Sequence, residues 1–153
     1  MQPRIDSIKI EMEHDASCYH ILEDLGTWSD TAKEGAIDVN PNDYAGYYRY
    51  FNPANPEYAE QDLARMHAYE RGDWDVHGIS AVAVVSYPED KRTTRRLATF
   101  NSRGIWGVES DSDASYIHDL AEEQLADLRA HLAVFGVDLS NFATLAKDAL
   151  DTL

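Results

Sequence analysis

The densest group of side chains able to do chemistry lies between residues 109 and 127. Glu109, Asp111 and Asp113 alternate with serines, and Asp119, Glu122, Glu123 and Asp127 follow. The first three imitate the opening of an oxygen-ligand metal loop, where acids two residues apart converge on a hard cation. The imitation fails where it matters: Glu stands first, Ala114 replaces the turn glycine, and Leu120 replaces the bidentate Glu. A helix cap is the simpler use, because Asp111, Ser112 or Asp113 can accept from the exposed N–H groups of a helix start. No metal and no cofactor are expected. The four downstream acids recur at i, i+3, i+4 and i+8, one helical face, and span about 12 Å at about 1.5 Å per residue. That face is either simply solvated or an anionic surface for a basic protein groove. Like charges one turn apart each cost a few tenths of a kcal/mol, which slightly favours a use for them.

Other candidates carry less. The six histidines, His14, His20, His67, His77, His118 and His131, contain no HExxH pair. His118 and His131 read as surface residues of the same helix as the acids. Cys18 is the sole cysteine, so there is no disulfide frame and no CxxC site. Its neighbours Asp15, Glu23 and Asp24 do nothing to favour a thiolate nucleophile. GxSxG, P-loop and GxGxxG motifs are absent, which removes the common nucleophile-elbow and phosphate-cradle chemistries. Aromatic residues are dense at Tyr44, Tyr47, Tyr48, Tyr50 and Phe51, with Trp74 and Trp106 at the ends of elements. They either cover the edge of a sheet or anchor a protein partner, as Tyr and Trp commonly do.

The elements that must position these residues follow from periodicity. Residues 5–13 alternate Ile8, Ile10 and Met12 against charged neighbours, a half-buried strand. Residues 15–43 hold scattered glycine and proline and read as a long ordered loop with one short helix near 19–25. An edge strand over 46–51 precedes a helix that Asn55 caps and Pro56 opens, with Ala59, Leu63 and Met66 on its buried face. Residues 76–87 are the most strand-like run and pair as a hairpin with a strand over 95–101. A helix over 113–135 buries Ile117, Leu120, Ala121, Leu125, Leu128, Leu132 and Phe135, and a last helix follows Leu139. The order predicts one α+β domain over 1–153, a mostly antiparallel sheet of three to four strands with helices on one face. The hairpin should be central, with the long helix packed on it.

The chain has 153 residues with 28 acids against 13 bases, a net charge of −15. Such a balance excludes a conventional nucleic-acid binder, which neutralises phosphates with cations, and disfavours anionic lipid. No apolar run approaches about 18 residues, so no membrane span is expected. The imbalance is uneven: residues 76–108 hold two acids and five bases, among them Arg92, Arg95 and Arg96 near a turn.

Three stretches, YYRYFNP (47–53), GDWDVHGISAVAVV (72–85) and IWGVESDSDASYI (105–117), resemble small accessory proteins of unassigned function from bacteriophages, plasmids and other mobile elements. The W-G-x-E-S-D-S-D run is the most specific of them. The resemblance carries no activity onto any residue. It implies a cytoplasmic protein of a bacterial host, a setting in which small acidic proteins without catalytic motifs often inhibit host defence, as anti-CRISPR and anti-restriction proteins do.

The expectation is therefore a non-catalytic inhibitor that binds a basic, nucleic-acid-binding surface of a host protein or ribonucleoprotein, without touching nucleic acid itself. Glu109, Asp111, Asp113, Asp119, Glu122, Glu123 and Asp127 would replace phosphates there, with Tyr47, Tyr48 and Trp106 as short-range anchors. A structural or regulatory interaction protein of the mobile element, and a small metal-dependent hydrolase, are the alternatives.

Overall fold

A computed structural model describes residues 2–39, 48–88 and 96–153. It has the α+β architecture, and the chain divides into two compact units: residues 1–14 with 77–153, and an inserted unit, residues 15–76.

The larger unit is built on a four-stranded antiparallel sheet. β1 (Arg4–His14) pairs along nearly the whole of β5 (Val76–Tyr87), from Arg4 opposite Ser86 to His14 opposite His77. β6 (Arg96–Asn101) and β7 (Ile105–Glu109) also pair with β5, and since β1 fills one edge they share the other. The hairpin strand over 76–87 is thus central, as its two-sided apolar pattern requires. β7 is an element the sequence reading lacked. β1 does not keep strict alternation: a bulge between Ile5 and Ser7 leaves Asp6 extra. Ile5 and Ile8 consequently both point into the core, whereas Met12 is exposed.

α3 (Ala114–Val134) and α4 (Phe142–Asp151) cover one sheet face. Leu125, Leu128 and Leu132 pack with Ile5, Ile8, Ala81, Ala83 and Val85, joined by Phe142, Ala146 and Ala149. Leu120 and Ala121 pack with Ile79 and Val108. Phe135 departs from the expected stripe. It lies beyond the last turn, exposed, with its ring 5.2 Å from that of Phe100. The opposite sheet face carries Ser7, Lys9, Glu11 and Glu13, which pair across from Val84, Val82, Ser80 and Gly78.

In the inserted unit the expected short helix is α1 (Tyr19–Glu23), while the stretch read as loop also holds β2 (Gly26–Ser29) and β3 (Ile37–Asp38); residues 40–43 of it lie outside the described residues. These strands of four and two residues are too short to show a period. Residues 46 and 47 of the expected edge strand lie outside the described residues; β4 (Tyr50–Pro53) is central, between β2 and β3. Buried Asn52 fixes the intervening loop, donating to Thr31 O (2.9 Å) and accepting from Lys33 N–H (2.9 Å). Asn55 does cap the next element through Glu57 N–H, but Pro56–Tyr58 form a 3-10 turn before α2 (Ala59–Glu70) begins. Phe51, Met66 and Val39 form one buried cluster here, and Cys18, Trp74 and Val76 another.

Candidate functional site

The long helix sorts its carboxylates by phase. Asp119, Glu122 and Glu123 are exposed on the side turned away from Leu120, Leu125 and Leu128. Asp127 does not join them. It sits at the helix flank with its side chain 15% exposed, paired to Arg103 Nη2 at 2.8 Å. It also accepts from Arg103 Nε (3.1 Å) and from the Arg103 backbone N–H (2.8 Å). The Arg103 hydrogen bonds, side chain first and then backbone, hold the Asp127 carboxyl below its ordinary range, and His131 adds to this. Asp127 is thus a clamp on the β6–β7 connection rather than part of a free anionic face.

The neighbouring Gln124 performs the same service from inside. Ser102 N–H donates to Ala81 O (2.8 Å), and Ala81 N–H donates to Ser102 Oγ (2.8 Å). The Ser102 hydroxyl donates to Gln124 Oε1 (2.7 Å), which also accepts from Gly104 N–H (2.8 Å). Ser102 and Gln124 are both buried. The break between β6 and β7 therefore leaves these polar groups satisfied, tied to α3 by one amide oxygen.

At the head of α3, Asp113 occupies the N-cap position but its side chain makes no capping bond; its carbonyl accepts from Ile117 N–H (3.1 Å). Asp111 is exposed and Glu109 half-buried, and Ser112 N–H closes a turn onto Glu109 O (3.0 Å). Carboxylates in this position also favour the positive end of the helix dipole.

His118, Asp119 and Glu122 form a donor group that the HExxH template overlooked. Their ligand atoms all lie within 4.8 Å of one another, and His118 Nδ1 is 3.9 Å from Glu122 Oε1. The spacing i, i+1, i+4 puts them on one exposed turn, where solvent competes for each donor.

Trp106 does not share a face with the acids of α3. Trp106 is exposed on the sheet face opposite α3, its ring covering the place where a Gly78 side chain would stand. Gly107, at φ 78°, breaks the alternation after Trp106. Ile105 and Val108, three residues apart, can then both pack against the α3 cluster. Tyr48 belongs to the inserted unit, and Tyr47, with Arg92 and Arg95 of the basic turn, lies outside the described residues.

In the inserted unit Tyr48 borders an open cavity of about 390 Å³, lined also by Tyr19, Leu22, Trp28, Met66 and Tyr69 and by Glu23 and Glu70. Cys18 is buried behind it, its Sγ 3.4 Å from the Tyr69 hydroxyl. That hydrogen bond, with burial and the nearby Cys18 and Asp75 charges, pushes the Tyr69 phenol up to about 12. The sequence showed only the aromatic run over 44–51; the other walls come from α1, β2 and α2.

No family model, no curated protein and no solved structure matches the chain. Among the described residues no helix is long and apolar enough to cross a membrane.

Proposed function

We propose that this is a non-catalytic binding protein that presents the outward face of α3 to a cationic partner surface. The observation that carries the reading is the exposure of Asp119, Glu122 and Glu123 on a helix whose opposite side is locked into the core. Carboxylates held on a rigid helix stand in for phosphates at a basic groove, and long-range attraction raises the association rate. We propose further an inhibitor of host defence, anti-CRISPR or anti-restriction in type, acting on a nucleic-acid-handling protein or ribonucleoprotein in the bacterial cytoplasm, a reading that rests on the resemblance of the sequence stretches alone.

The test is a combined Asp119→Lys, Glu122→Lys, Glu123→Lys variant, with Asp127 left in place because it clamps Arg103. Folding should be preserved, since all three side chains are exposed and two lysines at i, i+4 repel no more than the Asp119–Glu123 pair they replace. In hosts carrying a defined CRISPR or restriction system, the wild-type protein should raise phage plating and the variant should not. Equal protection by both would remove α3 as the interface.

A further inference from the structure

We propose that the cavity of the inserted unit is a binding site for a guanidinium cation, the side chain of an arginine presented by a partner protein. The site is distinct from the α3 face and does not rest on that reading. Its walls are aromatic: Tyr19 and Tyr48 are about half exposed, and Trp28 and Tyr69 complete them. Trp28 is fixed from within the unit, its ring 5.3 Å from Phe51 and stacked 5.9 Å from His67. Tyr69 is fixed likewise by Cys18 and by an edge contact with Trp74 at 5.2 Å. Rings held in this way keep their orientation without a ligand, so little ordering cost falls on binding.

The chemistry of the lining selects the occupant. Aromatic faces attract cations through their quadrupole. Glu23 and Glu70 add two carboxylates to a wall that is otherwise mostly apolar, which repels an anion and is wasted on a neutral ligand. The inserted unit as a whole holds 13 acids against 4 bases, so the surrounding field has the same sign. Between the two biological side-chain cations the cavity favours arginine. Guanidinium is planar and weakly hydrated, stacks on aromatic faces, and offers a fork of N–H donors to a carboxylate. A lysine ammonium is compact and strongly hydrated, and would surrender its water to a largely apolar wall of about 390 Å³. The structure itself holds one guanidinium on an indole: Arg65 lies over the Trp74 ring at 3.7 Å.

The experiment follows the three tryptophan indole N–H resonances of the full-length protein by NMR. The probes are N-acetyl-arginine amide, the neutral isostere N-acetyl-citrulline amide, and N-acetyl-trimethyllysine amide. The arginine probe should shift Trp28 and leave Trp106 in place, and should bind about tenfold tighter than citrulline, the worth of a partly desolvated cation–π contact. Tyr48→Ala and Glu23→Gln, both at exposed positions, should each weaken arginine binding several-fold with the remaining spectrum unchanged. Equal affinity for citrulline, a Trp28 resonance that does not move, or indifference to both substitutions would overturn the proposal. Tighter binding of trimethyllysine would also overturn it, marking the cavity as a quaternary-ammonium site instead.

Discussion

Replacing Gln124 by Leu removes the side-chain amide, and with it the acceptor oxygen, and tests whether α3 positions the β6–β7 edge as described. Leucine is close to glutamine in volume and suits a site where the native side chain is 5% exposed, so packing is nearly preserved. What changes is the fate of two donors. The Ser102 hydroxyl, 2.7 Å from Gln124 Oε1, and Gly104 N–H, 2.8 Å from it, both lose their acceptor. A buried donor left without a partner costs about 1–3 kcal/mol. Ser102 is 7% exposed and bears the full penalty, whereas Gly104 is half-buried and bears part of it. Added apolar burial returns some of the loss, leaving an expected destabilisation of about 2–4 kcal/mol. Urea denaturation followed by circular dichroism measures it. Ser102→Ala, alone and combined with Gln124→Leu, completes a cycle in which the double variant should lose less than the sum of the singles, because the first substitution already breaks the bond. A loss below about 1 kcal/mol, or strict additivity, would refute the network.

Two further outcomes follow from the same edge. In Gly78→Ala the new methyl would collide with the Trp106 ring, so the exposed ring must swing outward; tryptophan emission should shift to the red with a loss of about 1–3 kcal/mol, and unchanged emission would place Trp106 elsewhere. Asp127→Asn removes a carboxylate whose folded value is depressed by Arg103. Its stabilisation is therefore present above the unfolded aspartate value of about 3.9 and is lost as pH falls through the lower folded one. Denaturation midpoints of wild type and variant should differ at neutral pH and converge at strongly acid pH, and a gap independent of pH would contradict the clamp.

What could be read in the sequence depended on length and on whether a residue's partner was near it in the chain. Twelve residues of β5 and twenty-one of α3 repeat their period often enough to declare themselves, and both appear with little boundary error. β2, β3 and β7 have four, two and five residues, and β7 is also interrupted by Gly107, so none shows a pattern. Asp127 shares a helical spacing with Asp119 and Glu123, and only the Arg103 loop, 24 residues upstream, separates its role from theirs. Gln124 was invisible for a related reason: a polar residue inside a leucine stripe looks like a solvent position until its acceptor role for Ser102 and Gly104 is known. Trp106 and Tyr48 share only their residue type in the sequence, and the fold assigns them to different units.

The distribution of charge over the two units bears on how binding would proceed. The inserted unit holds 62 of the 153 residues and carries −9 of the net −15, more than the unit that contains α3. The visible run of acids on α3 is therefore not where most of the excess lies. A field from diffuse charge steers a cationic partner and is screened over about 10 Å at 0.1 M salt. It selects poorly, because any basic surface feels it. Selection requires geometry: the fixed rings around Tyr48 and Trp28, or the rigid spacing of Asp119, Glu122 and Glu123. Salt should accordingly slow association for every cationic partner, while substitutions at the rings or at the three α3 carboxylates should act on dissociation and separate one partner from another.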